Sequence, residues 1–248
     1  MGPRTKVQVS EVRDVLKDAR PGSLPTNVVH LWRLSLKTVA SALESGYELL
    51  SAEEREKASR FRVERPRTEF IMTRSALRSL AGRYLGISPQ MVCFRYSAHG
   101  KPHLDGDADL RFNVSHTDGL ALMAFAQCRD IGVDVEKLHR TTDLRKLAER
   151  FFSLREREEL GKLDGEQLQT AFLRCWTRKE AYIKARGEGL SLPLHQFDVS
   201  IAPDERDALL ATRPVAEEAN RWTVCNVQVE GGYAAALAYG ELSRRQSS

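Results

Sequence analysis

Long apolar runs are missing from this chain. No stretch approaches the roughly 20 apolar residues that a membrane-crossing helix needs, and the opening MGPRTKVQVSEVRDVLKDARPGS carries no apolar core of a secretory leader. Cysteine is also scarce. Cys93, Cys128, Cys175 and Cys225 lie tens of residues apart, with no CxxC pair and no histidine at zinc spacing. That excludes a disulfide scaffold and a zinc module, and it reads as free thiols in a reducing compartment. Aromatic residues are only 7%, and none shares the helical stripe of the arginines that could form a basic surface, which argues against a nucleic-acid stacking platform. The net charge of +4 is small, so local clusters decide partners rather than the sum. A cytoplasmic protein with neither membrane nor nucleic-acid partner is expected.

What is present is an ordinary globular composition: 248 residues, 42% hydrophobic and 29% charged, enough for one large domain or two packed smaller ones. The chain also states its pattern twice. Strand-like VVHLWRL at 28–34 precedes IGVDVE at 131–136 by 102 positions, and LSAEEREK at 50–57 precedes FSLREREE at 152–159 by the same interval. Ser51 with Glu54, and Ser153 with Glu156, each form the Ser-x-x-Glu box that starts a helix. EFIMTRSALR at 69–78 then matches AFLRCWTRKE at 171–180, while VCFRY at 92–96 and HQFDV at 195–199 fall one residue out of step. Each half closes with two strand-like segments. The expectation is an α+β fold of two similar halves, a pseudo-dimer, each a small mostly antiparallel sheet with a long helix. Residues 1–26 read as a mobile or loosely packed polar lead-in, 27–128 and 129–241 as the halves, and 242–248 as a frayed tail.

Four segments can carry chemistry. In Ile131-Gly132-Val133-Asp134-Val135-Glu136, strand alternation puts Asp134 and Glu136 on one face. Two carboxylates side by side repel unless a cation joins them, and Mg²⁺ takes such pairs together with water and phosphate oxygens; alone, the pattern also suits a solvated strand face. Along 172–190, Leu173, Trp176, Glu180 and Lys184 share one helical stripe. Glu180 there could complete a cation's ligands or act as general base, and Lys184 could hold a phosphate, or the two could be a plain surface pair. Ser115 and His116 stand where a strand reaches a polar turn and can donate to a diphosphate. Gly100-Lys101-Pro102 presents a lysine on a stiffened turn. Arg67, Arg74 and Arg78, with Lys57 and Arg60, make a basic ridge suited to phosphate or an acidic partner.

GKP at 100–102, FNVSH at 112–116, GVDVE at 132–136, RFFS at 150–153 and WTRKEAYIKARGEGLSLPL at 176–194 together resemble the Sfp-type 4′-phosphopantetheinyl transferase family in order and spacing, over residues from about 50 to 240. The resemblance implies transfer of phosphopantetheine from coenzyme A to a serine of an acyl or peptidyl carrier protein, with release of 3′,5′-ADP, and a two-half fold; the repeat itself makes a monomer the simplest expectation, since the duplicated halves already create the cleft. It implies Asp134, Glu136 and Glu180 as ligands of Mg²⁺, with Mn²⁺ a possible substitute. Glu180, Lys184, Asp134 and Glu136 would be the catalytic group, Lys184 lying near the reacting phosphate. Ser115 and His116 would meet the CoA diphosphate, Lys101 and Pro102 the nucleotide end, and Lys57 the 3′-phosphate. Glu69 and Phe70 depart from the nucleotide-binding pattern of some relatives, leaving Arg67 and Arg74 as candidates there. The acidic stretch 104–111 and the helices around 143–160 are possible neighbours of the carrier. The rivals are a Mg²⁺-dependent nucleotide phosphohydrolase and a CoA-binding module without catalysis.

Overall fold

The structure, a computed structural model, describes residues 5–11, 24–37, 40–106, 109–138, 143–203, 205, 207–229 and 231–242. In the N-terminal half these are β1 (Lys6–Glu11), β2 (Val28–Ser35), α1 (Ala40–Glu48), α2 (Ala52–Ser59), α3 (Glu64–Leu85), β3 (Phe94–Tyr96), β4 (Pro102–Leu104), β5 (Leu110–Thr117) and β6 (Leu120–Gln127). The C-terminal half follows with β7 (Ile131–Lys137), α4 (Leu144–Phe151), α5 (Leu154–Leu160), α6 (Gly165–Arg186), β8 (Phe197–Val199), β9 (Leu209–Thr212), β10 (Trp222–Asn226) and β11 (Tyr233–Gly240).

The repeat is visible in the topology. Within the first sheet the order β2-β6-β5 is antiparallel, and the second sheet runs β7-β11-β10 in the same sense. Each half adds a two-stranded hairpin, β3-β4 or β8-β9, and a 22-residue helix ended by a left-handed glycine, Gly86 or Gly187. Both capping boxes form, with Ser51 and Ser153 accepting from the backbone N–H of Glu54 and Glu156. The register shifts twice: α2 has 8 residues and α5 has 7, which sets the long helices 101 positions apart, and β3 and β8 then stand 103 apart.

Burial explains the layering. On β6, Ala121, Met123 and Phe125 pack with Leu77, Leu80 and Ala81 of α3. The alternate residues Leu122, Ala124 and Ala126 meet Ile131, Val133 and Val135 of β7 and Leu237 of β11 in a core shared by both halves. The other face of β11 and β10 carries α6 through Ala181, Ile183, Ala185, Val224, Ala236 and Ala238. Strand alternation therefore turns Gly132, Asp134 and Glu136 toward α6.

The lead-in needs a correction. Residues 6–11 are not loose: they form β1, which pairs parallel with β2 from Lys6↔Val28 to Glu11↔Arg33. Arg129 holds the same region, donating to Thr5 Oγ1 at 2.7 Å and to Thr26 O at 3.0 Å. Residues 1–4, 12–23 and 243–248 of the expected lead-in and tail lie outside the described residues.

A buried polar chain ties β1 to the helix layer. Trp32 Nε1 donates to Tyr84 Oη at 2.9 Å, so the Tyr84 hydrogen is free for His30 Nδ1 at 2.6 Å, leaving His30 Nε2–H to donate to Ser10 Oγ at 3.1 Å. Burial holds His30 neutral, with its pKa pushed down to about 4. The unfolded histidine takes up its proton near 6.5, so this contribution to stability is complete above pH 6.5 and falls away toward pH 4. Urea midpoints of wild type and His30→Gln should therefore diverge in their pH dependence over that window, wild type losing up to about 1.4 kcal/mol more per pH unit. Parallel pH profiles would show that the imidazole is not held neutral.

Candidate active site

The site begins with a missing side chain. A Cβ on Gly132 would lie 2.1 Å from Ala181 O and 2.3 Å from Ala185 N. Only glycine lets the α6 backbone rest directly on β7. The next two residues on that face, Asp134 and Glu136, are thereby brought beside Glu180 and Lys184 of α6.

The rotation of α6 is fixed from its other side. Arg178 and Lys179, immediately before Glu180, are wholly buried cations. Arg178 Nη2 donates to Ala202 O at 2.8 Å and its Nε to Asn226 Oδ1 at 3.1 Å. Lys179 Nζ donates to Leu194 O and Phe197 O, both at 2.7 Å, and pairs at 2.8 Å with Glu156, the capping-box glutamate of α5. With these two side chains gripping 194–202, Glu180 faces β7.

Lys184 stands at the centre. Its Nζ donates to Asp134 Oδ1 at 2.6 Å and to Ser115 Oγ at 3.2 Å. Asp134 is 3% exposed, and its Oδ2 is buried without a partner. Burial and the charge of Asp134 push Glu180 up to about 6 against the pull of Lys184, and the same two causes raise Glu136. One ammonium thus faces three carboxylates. Among the described residues no group of three acidic, His or Cys side chains is drawn close enough to hold a metal ion by itself. A divalent ion of the Mg²⁺ kind does not require one, because water and phosphate oxygens supply much of its shell. The excess negative charge and the orphaned Asp134 Oδ2 fit such an ion.

The N-terminal half contributes the opposite wall. Edge strand β5 runs beside β7 with side chains in place of a backbone ladder: Asn113 Oδ1 accepts from Val133 N at 2.9 Å, and Ser115 Oγ from Val135 N at 3.3 Å. The strand continues through His116 to Thr117, so the polar turn begins later than expected, at Asp118-Gly119. His116 is exposed; desolvation and Lys184 lower its pKa against the pull of Glu69. Lys101 turns inward, its Nζ donating to Ile131 O at 3.2 Å and Ala185 O at 2.8 Å, which clamps the start of β7 to the end of α6. Burial brings its pKa down to about 8. Pro102 opens β4 and is half-buried.

The basic ridge is not an open surface. Arg78 is 3% exposed and donates to Glu54, Pro89 O and Val92 O, repeating in the first half the role of Lys179. Arg74 pairs with the same Glu54 and with Tyr96 Oη at 3.1 Å. Two arginines on one capping-box glutamate are held for structure, and burial of an apolar helix stripe drags them inward. Lys57 is exposed, with its ammonium 5.3 Å from the Phe70 ring centre beside Arg60 and Phe61 in a shallow depression, and Arg67 is half-buried on α3.

A seam carrying carboxylates from one half and hydroxyls from the other can be compared with known proteins. A family model described as the 4′-phosphopantetheinyl transferase superfamily matches residues 130–238, and one described as 4′-phosphopantetheinyl transferase, N-terminal, matches 32–128. The protein HetI of Nostoc sp., a 4′-phosphopantetheinyl transferase, is 40% identical over 219 residues, covering 87% of this chain and 89% of its own. The chain belongs to the 4′-phosphopantetheinyl transferase superfamily. Sfp of Bacillus subtilis, another member, is 32% identical over 155 residues, covering 62% of this chain and 68% of its own.

Sequence reasoning did not find Lys179, its ion pair with the capping-box Glu156, or the packing role of Gly132 in this transferase-family chain. Two adjacent cations, Arg178-Lys179, so close to apolar Ala171-Phe172-Leu173 were the available signal, whereas the register read from the sequence set Arg78 against Glu180 instead of Lys179. Gly132→Ala should push α6 off β7 and cost about 1–3 kcal/mol or more, read as a lower urea midpoint. An unchanged midpoint would mean that the helix is not held at this contact.

Proposed function

We propose that this chain moves the 4′-phosphopantetheine group of coenzyme A onto a serine of an acyl or peptidyl carrier protein. One observation carries the reading: three carboxylates gather around Lys184 at the seam between the halves, with Asp134 Oδ2 buried and unpaired. Family membership and the 40% identity to HetI along most of both chains support the same activity.

The carrier serine oxygen forms a bond to the phosphorus that bears pantetheine, and the bond from that phosphorus to the bridging oxygen breaks, releasing 3′,5′-ADP. A serine hydroxyl is a weak nucleophile near pH 7, so its proton needs an acceptor. A carboxylate of the cluster, Glu180 first among them, would take it. Mg²⁺, or Mn²⁺ in its place, would be held by Asp134, Glu136 and Glu180 and would neutralise charge on the diphosphate oxygens. Lys184 sits where an ammonium can leave Asp134 for a phosphoryl oxygen, a stabilisation by preorganised charge. His116 would donate to the diphosphate and Pro102 would border the nucleotide, while Lys101, engaged by Ile131 O and Ala185 O, would support the site rather than reach the ligand. Lys57 and Arg67 are the cationic candidates for the 3′-phosphate; Arg74, held by Glu54 and Tyr96, is set aside.

The halves are taken as 27–128 and 129–241. Since one chain supplies both walls of the seam, a monomer suffices. No helix among the described residues is long and apolar enough to cross a membrane, and a cytoplasmic setting suits carrier and CoA.

Intact-mass measurement of an apo carrier protein, incubated with this protein, CoA and Mg²⁺, should show a gain of one phosphopantetheinyl group that EDTA abolishes. Asp134→Ala should keep its far-UV circular dichroism and lose more than the roughly 10–100-fold that an outer-shell change costs. Near-normal transfer by that variant would overturn the metal assignment, and phosphate release without carrier modification would point to the hydrolase.

A further inference from the structure

Ser115 is committed to a task other than gripping phosphate. A serine hydroxyl has one hydrogen to donate and two lone pairs to accept with. Here all three are engaged inside the protein. The hydrogen goes to Asp134 Oδ1 at 2.9 Å, and the oxygen accepts from Lys184 Nζ at 3.2 Å and from Val135 N at 3.3 Å. The residue is 6% exposed. Diphosphate oxygens only accept hydrogen bonds, so Ser115 could bind one only by withdrawing its hydrogen from a buried carboxylate.

The neighbouring positions repeat the arrangement. Two residues back on the same face of β5, Asn113 holds Val133 N. Two residues on, Thr117 shares that face of β5, and its hydroxyl favours the charged Glu136 carboxylate against the upward push of burial and Asp134. Side chains at 113, 115 and 117 therefore step along β7 in register with 133–136, as the period of two in both strands requires.

This ladder has a consequence for the carboxylates. With Asp134 Oδ1 fixed by Ser115 and Lys184, the carboxylate cannot turn about its Cβ–Cγ bond. Its other oxygen, Oδ2, is then left in one direction as the free acceptor. We propose that Ser115 and Thr117 are positioning residues which aim Asp134 and Glu136 at the divalent cation, so that the N-terminal half orients ligands supplied by the C-terminal half. The inference rests on the metal reading above and concerns how the chain prepares that site.

Mn²⁺ binding to the CoA-free protein, followed by the electron paramagnetic resonance of the free ion, tests it without turnover. Wild type is compared with Ser115→Ala, Thr117→Val and Thr117→Ser, and CoA affinity is measured by calorimetry in EDTA. The Ala and Val variants should lose about 10–100-fold in Mn²⁺ affinity, the range for removing an outer-shell partner. Thr117→Ser, which keeps the hydroxyl, should bind like wild type, and CoA affinity in EDTA should stay unchanged throughout. Unchanged Mn²⁺ affinity in the Ala and Val variants would overturn the proposal, as would a fall in CoA affinity for Ser115→Ala, which would make Ser115 a diphosphate ligand. Should Ser115→Ala fail to fold, the Val and Ser variants at 117, a half-buried position, decide alone. Wild type that binds no Mn²⁺ would sink the metal reading itself and this proposal with it; wild type that binds while the variants match it would sink only the positioning.

Discussion

The contact of α6 with β7 across Gly132 is the constraint on which the site depends. A helix on a sheet normally stands off by the thickness of the side chains between them. Here the helix backbone touches the strand at one residue. From that point, alternation on the strand and the turn of the helix carry Asp134 and Glu136, and Glu180 and Lys184, into one region. Lys101 closes the same crossing from the first half by binding a carbonyl on each element. The charged groups are thus held by backbone geometry rather than by their own attraction, which alone would leave three carboxylates unfavourably close.

The second structural support is a pair of buried ion clusters related by the repeat. Glu54 with Arg74 and Arg78, and Glu156 with Lys179, each join a capping box to a long helix and to the loop that follows it. Buried pairs of this kind add little net stability against apolar replacements, but removing one partner strands the other. Their value here is directional. In α6 the anchored cations immediately precede Glu180, and a helix gripped at 178 and 179 has no freedom to rotate at 180.

Much of this was legible in the sequence because period and spacing encode it. Alternation in 131–136 puts two carboxylates on one face, the 3.6-residue period aligns Glu180 with Lys184, and two Ser-x-x-Glu boxes announce the duplicated helices. The less legible parts depend on what lies opposite. No pattern within 66–85 distinguishes Arg78, drawn inward by Glu54 and two carbonyls, from an arginine in water. Likewise, Ser115 as a phosphate donor and Ser115 as a saturated hub read identically until β5 is set beside β7. Parallel pairing of 6–11 escaped because its burial is shallow and its partner lies across a long connection.

That added strand bears on the symmetry of the molecule. By the repeat, β2 corresponds to β7, yet the two outer edges have different fates. The edge of β2 is closed by the backbone ladder of β1, which has no counterpart among the described residues of the second half, whereas β7 meets β5 through side chains and keeps its own face for charge. A duplicated fold would offer two equivalent seams, as a symmetric homodimer does. Capping one of them with a strand from outside the repeat leaves the two seams unlike, so that the charged cluster between β5 and β7 has no symmetric twin among the described residues.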